Sequence, residues 1–541
     1  MDDPFDPAAY RPTAPLEPGD SIPSGDDLKQ LLHDLTQQTR DLARWPYDPE
    51  TWFARAETLV SLRFPELALG DGWKAERLCG NLLARVDKGV GKWRLGFAKG
   101  FWMMGSEVPG ARGHSDGEEE DEDGEEEEDE EKEALCERLR DLRDTATLLQ
   151  HTLLDVSPEH LEGRFVPRSY PWMSAYHRFR SDELLEKVND EFSQHTCGRG
   201  HSVAACRVER NAFGGGADVL GVFATRDMEA GTLLFVDYTE VFGCIGPGSD
   251  DSSANLFGGK GCADPLHPNL ESEMAWQDLR WIRDRCGKDA ADVIMRCRLL
   301  IGSIRWGCRA EAAGEKTRRG GHPLDHTRIA RLTPSHRVNR KPSLVSLEHD
   351  VAVPNDFLLQ FGIDVFADER YDTWVLFEVR ERAGNNSWGD PIHSCLSPLF
   401  AFFNHSCAPN VDWAPHKDAT FMTLEIVRNV KAGEQMLVMY DSFMTDEGLA
   451  ARRKRMRRWL NSDCMCEKCE LEEEHERLEA ELVKMRARAE AFQLLLDQKK
   501  ADQHRVDSPL GSRETSSMSA IDEVVGNWDT APKPIFPEDL E

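Results

Sequence analysis

Phe402-Phe403-Asn404-His405-Ser406-Cys407-Ala408-Pro409-Asn410 is the most informative stretch of this chain. Two aromatics lead into a dense polar cluster that a proline closes. Asn404 and His405 carry donors and acceptors that can address one ligand, and Cys407 can supply a soft, metal-binding thiolate. Alone, the pattern also fits a polar turn after a buried strand. Two stretches further on shift the balance. Lys431-Ala432-Gly433-Glu434 reads as a turn and Gln435-Met436-Leu437-Val438-Met439-Tyr440 as a buried strand. That strand ends on one of only seven tyrosines in the chain. Cys464-Met465-Cys466-Glu467-Lys468-Cys469 then packs three cysteines into six residues. The pattern C-x-C-x-x-C is one ligand short of the four of a closed structural zinc site. The fourth must come from elsewhere, and Cys407 is the natural candidate.

In this order and spacing, Asn404-His405-Ser406-Cys407-x-Pro409-Asn410, Gly433-Glu434 with Tyr440, and Cys464-x-Cys466-x-x-Cys469 resemble the second half of a SET-domain protein methyltransferase and its post-SET zinc segment. The resemblance implies an α+β fold, a SET-domain β-fold of short strands. It further implies that Asn404 and His405 bind S-adenosylmethionine and that Tyr440 sits beside the methyl transfer. A structural zinc is then shared by Cys407, Cys464, Cys466 and Cys469. Upstream, Gly221-Val222-Phe223-Ala224 and Leu233-Leu234-Phe235, with a turn at Ala230-Gly231, are similar to the opening of such a domain, where Gly221 and Val222 lie against the cofactor. Asn385-Asn386-Ser387-Trp388 resembles a family segment that brings an asparagine, here Asn386, near the cofactor; as a plain sequence it is equally a polar turn. Two positions depart from the family pattern. The usual Gly-x-Gly is Val219-Leu220-Gly221, and the aromatic two residues before the first post-SET cysteine is Ser462, with Trp459, Leu460 or Phe443 as nearby substitutes.

At 541 residues the chain is long enough for two or three domains. It holds 98 acidic residues against 66 lysines and arginines, a net charge of −32. The run from Asp116 to Glu133 contributes 15 acids and one lysine, and the remaining 83 acids and 65 bases still leave −18. Phosphate contacts need clustered Lys and Arg, so direct nucleic-acid binding is not expected. A basic partner, such as a lysine-rich protein tail, suits this charge better. The 14 cysteines show no secreted disulfide spacing, and Met1-Asp2-Asp3-Pro4 carries no signal peptide. No apolar stretch approaches membrane-spanning length. A reducing nucleus or cytoplasm fits.

Residues 1–25 are rich in Pro, Asp and Gly and read as disordered. Residues 26–156 read as helical. A helix runs over 26–38, and a helical hairpin over about 49–63 and 66–87 starts at the Asp48-Pro49 cap. The hairpin resembles one tetratricopeptide unit, which needs a partner for its open face. The helix over 135–154 is a candidate, and the acidic run 116–133 reads as a solvated loop or a docking surface for a basic partner. Residues 157–200 form a connector and a helix. The SET domain extends over 201–445, with a helical insertion at about 245–350 in which Arg309 to Lys341 reads as a polar loop. In the SET-and-MYND type that the chain resembles, a zinc-finger module, the MYND finger, commonly occupies this region; here Cys262, Cys286, Cys297 and Cys308 lack paired C-x-x-C spacing, so they read as ordinary buried thiols and no MYND finger is inferred. A helix at 449–460 bears Arg452, Arg453, Lys454, Arg455, Arg457 and Arg458, read as a solvated helix leading to the zinc segment or as a nuclear-import or nucleic-acid patch. The post-SET segment spans 446–470, followed by a charged helix and a disordered tail over 471–541.

The resemblance implies a protein-lysine N-methyltransferase whose substrate, histone or not, offers an accessible lysine. The competing reading is a catalytically weak or inactive SET-fold protein that serves as an interaction module.

Overall fold

The computed structural model describes residues 10–14, 21–87, 122–157, 160–196, 204–210, 212–214, 219–239, 241–244, 280–312, 321–334, 343–390, 392–417, 419, 421–441, 447–460 and 462–506. The N-terminal part is helical. Leu28, Leu32, Leu35 and Leu42 share the buried face of helix Gly25–Arg44, the spacing of an amphipathic helix. Asp48 caps helix Pro49–Ser61 by accepting from the Glu50 N–H at 3.1 Å, with proline in the first turn. Helix Pro65–Asp87 returns against it. Cys79, Leu82 and Val86 on that helix meet Leu135, Cys136 and Leu139 of helix Glu122–Leu153, which covers the face a lone hairpin leaves open.

Two expectations for this region need correction. The acidic run is not loop throughout, because from Glu122 onward it is the first turns of helix Glu122–Leu153. Residues 116–121 lie outside the described residues. Glutamate is a good helix former and its charge is favoured near a helix N-terminus, which offsets the mutual repulsion. Nor is the whole of 1–25 disordered. The Tyr10 hydroxyl donates to the Leu62 carbonyl at 2.7 Å, and the Thr13 N–H to the Arg63 carbonyl at 3.1 Å. Both carbonyls end a helix and need partners. Tyr10 and Thr13 are buried in making these bonds.

A buried ion network locks the hairpin to helix Thr373–Asn386. Arg55 reaches Asp71 at 2.6 Å and Asp372 at 2.9 Å, Lys74 reaches Asp372 at 3.5 Å, and both cations stack on Trp52. Asp372 also caps the helix, donated to by the Thr373 N–H, and the two cations hold its carboxyl down at about 2 against the opposing pull of burial. Gly70 lets the helices cross closely, since a Cβ there would stand 2.3 Å from the Thr373 side chain.

Thirteen strands are found among the described residues. They are β1 Asp155–Ser157, β2 His160–Phe165, β3 Cys206–Glu209, β4 Gly221–Ala224, β5 Leu233–Tyr238, β6 Val241–Cys244 and β7 Ser343–Ser346. The chain continues through β8 Trp388–Asp390, β9 His393–Leu396, β10 Asn404–His405, β11 Val411–Pro415, β12 Phe421–Ile426 and β13 Gln435–Val438. They form four small sheets, ordered β1-β2-β7, β10-β13-β4-β3, β11-β12-β5 and β6-β9-β8. Thus β4 and β5 pair with β13 and β12, about two hundred residues later, and the intervening segment loops out and returns. β1 and β2 fall at and after the start of the stretch read as a connector. They are short and polar and carry little periodic signal.

Two cores result. One joins the N-terminal helices to the inserted helices, with Trp52, Phe64, Leu300, Phe357 and Phe377 among its members. The other lies on the sheets β10-β13-β4-β3 and β11-β12-β5, with Phe192, Val222, Phe235, Phe403, Met422 and Val438 among its members. The polar stretch after Arg309 is not a plain loop. Between Gly321 and Pro334, Leu324, Ile329 and Leu332 are buried in the first core. Cys286 and Cys297 are buried thiols, both pushed up to about 12 by desolvation. Cys262 and the Cys308 side chain lie outside the described residues. Residues from Glu470 on form a second unit, described as far as the end of the 40-residue helix Glu467–Val506. No described helix is long and apolar enough to cross a membrane.

Candidate active site and metal centre

β10 is two residues long and runs parallel to β13, with Asn404 opposite Leu437 and His405 opposite Val438. β13 runs antiparallel to β4, with Met436 opposite Val222. So short a strand needs outside support, and Asn410 supplies it. This fully buried residue donates to the Gln435 carbonyl at 2.8 Å and accepts from the Leu437 N–H at 2.7 Å. The amide thus ties the Pro409-Asn410 bend to β13, a role that the sequence motif alone does not reveal.

Asn404 donates from Nδ2 to the Leu220 carbonyl at 2.8 Å, where β4 begins. Beside it, a Cβ on Gly221 would lie 2.6 Å from Gln435 Nε2, 2.9 Å from Ala212 Cβ and 3.1 Å from Asn404 Nδ2. Only glycine permits this approach. Gln435 Nε2 is buried and has no hydrogen-bond partner among the described residues, and a buried donor of this kind calls for a ligand or water. A glycine-only cradle flanked by an unpartnered amide donor fits S-adenosylmethionine, whose carboxylate and ribose oxygens are acceptors. Sequence reading missed Gln435, which it took as a plain strand residue. Val222 is fully buried in the sheet core.

His405 is held at both ring nitrogens. Its Nδ1 accepts the Tyr440 N–H at 3.2 Å, which leaves the proton on Nε2, 3.3 Å from Cys407 Sγ. Burial pushes the imidazole down to about 4, so it is neutral near pH 7. Both ring nitrogens therefore serve the protein, linking the tyrosine backbone to the cysteine cluster.

The Tyr440 hydroxyl donates to the Phe403 carbonyl at 2.9 Å, one residue before Asn404. Its ring packs on His405 at 5.3 Å and on Trp459, one of the nearby aromatics, at 6.4 Å. Ser462 itself is exposed and Leu460 half-buried, and Phe443 lies outside the described residues. Burial raises the Tyr440 phenol above its ordinary range. Asn386 is engaged elsewhere, with both N–H donors used by the Thr333 carbonyl at 2.8 Å and the Arg382 carbonyl at 2.7 Å. Among the described contacts none joins it to Asn404, Gly221 or Tyr440.

The four predicted cysteines converge. The Sγ atoms of Cys407, Cys464, Cys466 and Cys469 all lie within 4.8 Å of one another. Cys407 Sγ stands 3.9 Å from Cys464 Sγ and 3.6 Å from Cys469 Sγ. A tetrahedral site with Zn–S bonds of about 2.3 Å has edges of about 3.8 Å, so the cluster fits zinc. Donors surround the sulfurs: the Cys407 N–H points at Cys466 Sγ at 3.3 Å and Arg452 at Cys469 Sγ at 3.7 Å, which would temper a thiolate-rich charge. The basic helix Leu449–Leu460 is therefore not simply a solvated face. Arg452 is buried, Arg453 donates to the Cys464 carbonyl at 3.3 Å, and Arg457 pairs with Asp463 at 2.5 Å. Its arginines staple the cysteine segment.

The SET domain family matches residues 293–441. A SET domain-containing protein of Acanthamoeba polyphaga mimivirus is 38% identical over 69 residues, 13% of this chain and 26% of that protein. A SET and MYND domain-containing protein of Dictyostelium discoideum is 32% identical over 97 residues, 18% of each chain. The matches thus span about a quarter and a fifth of these relatives. A crystal structure of the SET domain of LSMT bound to lysine and AdoHcy aligns with 48% of this chain and 54% of that one, at 14% identity and a TM-score of 0.21. The family match covers β7 to β13, and β3 to β5 complete the same sheets from outside it. The stretch that matches the SET domain family thus carries the Asn404-His405 strand and its pairing to β13.

Proposed function

We propose that this chain is an S-adenosylmethionine-dependent protein-lysine methyltransferase. The observation that carries the reading is the meeting of three features on adjoining backbone. These are the glycine cradle at Gly221, the Asn404 amide and the Tyr440 hydroxyl held on the Phe403 carbonyl. S-adenosylmethionine, when bound, supplies an electrophilic methyl group. Gly221, Asn404 and Gln435 are the residues we assign to holding it.

Methyl transfer needs donor and acceptor in line and a neutral amine. A free lysine has a pKa of about 10.4, and a low-dielectric channel favours its deprotonation. Tyr440 donates its proton to Phe403, so its oxygen lone pairs are left to accept from the lysine nitrogen and aim it. With its pKa raised by burial, the phenol stays neutral and positions rather than abstracts. His405 fixes the Tyr440 backbone, and zinc on the four cysteines would fix His405 through Cys407. Zinc is structural in this scheme, since all four positions of the site are filled by protein.

The net charge of −32 favours a lysine-rich substrate, and histones are one such class, which agrees with a nuclear or cytoplasmic location. Nucleic acid is not assigned as a partner. The alternative is a SET fold that binds partners without transferring methyl groups, favoured by the exposed Ser462 at the expected aromatic position. Cofactor titration by calorimetry, alongside labelled-methyl transfer to histones and cell extract, separates the two. Binding with transfer supports the methyltransferase, and binding without transfer to any protein supports the alternative.

A further inference from the structure

Helix Glu467–Val506 carries an apolar seam that its own sequence repeats every seven residues. Leu471, Leu478, Met485 and Phe492 are spaced by seven, and Leu471, Met485 and Phe492 are 64%, 54% and 62% exposed. Four residues after each stand His475, Leu482, Ala489 and Leu496. Steps of four and three sustained over four heptads are the pattern of a coiled coil. Val483 and Leu494 stand off the seam, but the rest of the exposed apolar surface lies on or beside it.

We infer that this helix pairs with the same helix of a second copy of the chain, antiparallel, as a two-stranded coiled coil. The charges beside the seam select both occupant and orientation. The first half is flanked by acids, Glu474, Glu479 and Glu481, and the second by Arg486 and Arg488. Neither arginine has an ion-pair partner among the described residues. When Leu482 of one copy is set opposite Met485 of the other, antiparallel, Glu479 faces Arg486 and Glu481 faces Arg488, each twice by symmetry. The same register puts Leu471 against Leu496, His475 against Phe492 and Leu478 against Ala489, so an apolar residue stands in every layer. A parallel, in-register pair would keep only Glu481 against Arg486 and would set Glu474 against Glu479 of the second copy, where like charges repel, so the antiparallel pair has the better charge balance.

Sedimentation equilibrium of the full chain at micromolar concentration should give a dimer. Leu482→Asp with Met485→Asp should give a monomer that keeps the parent's helix content and melting temperature. The charge variants supply an independent test. E479R/E481R and R486E/R488E should each be monomeric alone and should form a heterodimer when mixed. In the antiparallel pair the two copies of Lys499 lie 31 residues apart along the axis, about 46 Å, so an amine cross-linker should not join them. A monomeric parent protein, or a dimer that survives L482D/M485D, overturns the pairing. A Lys499–Lys499 cross-link overturns the orientation.

Discussion

Gly221 has room for a hydrogen and nothing more. In Gly221→Ala the new methyl would push on Gln435 Nε2 and Asn404 Nδ2. Crowding of this kind costs about 1–3 kcal/mol in stability, and both displaced amides belong to the proposed cofactor site. We expect the variant to fold with a lowered Tm and to bind S-adenosylhomocysteine at least ~10-fold more weakly, since one misplaced polar contact costs about 1.4 kcal/mol or more. Calorimetric titration together with a thermal melt checks this, and unchanged affinity would remove Gly221 from the site. Much at this scale was legible in the sequence, because Asn404, Tyr440 and the cysteines announce themselves by residue type and spacing. The side-chain partners were not. The ring of His405 is committed to Cys407 and the Tyr440 N–H, and the orphaned donor of Gln435 arises only once β13 lies beside β4. Those are facts of three-dimensional pairing that no local pattern encodes.

Among the elements, the cysteine segment and the N-terminal strap make separate claims. Cys466→Ser removes one of four thiolates and leaves an open, weaker site. Metal analysis of the purified parent should find one zinc per chain, and the variant should lose it and melt at lower temperature. A folded parent without metal would end the assignment. The strap rests on Glu66, which is fully buried and accepts from the Thr13 hydroxyl at 2.7 Å and the Tyr170 hydroxyl at 3.0 Å. Burial pushes its carboxyl up to about 7 from an ordinary 4.5. A raised carboxyl is stabilising in its protonated form. The contribution is full below about pH 4.5 and is lost as pH rises through 7, on the order of 3 kcal/mol. Glu66→Gln keeps an acceptor but cannot ionise. Its Tm relative to the parent should therefore improve between pH 5 and pH 8, and a pH-independent difference would contradict the buried, protonatable carboxyl. Helix Leu449–Leu460 and the hairpin were readable because caps and apolar periodicity are strong local signals. The strap at Tyr10 and Thr13, and strands β1 and β2, were not. Their stability comes from carbonyls and edges contributed by distant parts of the chain.

For the molecule as a whole, the two cores explain why the fold could be recognised while its architecture could not. The β-core is built from motif-bearing strands on both sides of a long insertion, so the motifs alone reveal it. The helical core is assembled from residues as far apart as Trp52 and Phe377, joined by the Arg55–Asp372 pair, and sequence spacing does not report such distant packing. The central claim is that Tyr440 aims a substrate lysine at a methyl donor held beside Asn404. The most direct measurement is labelled-methyl transfer from S-adenosylmethionine to lysine-rich protein by the parent and by Tyr440→Phe, which keeps the ring packing and removes only the hydroxyl. Our account predicts transfer by the parent and a fall of ~10²-fold or more in the variant, with cofactor affinity nearly unchanged. Full transfer by Tyr440→Phe would contradict it.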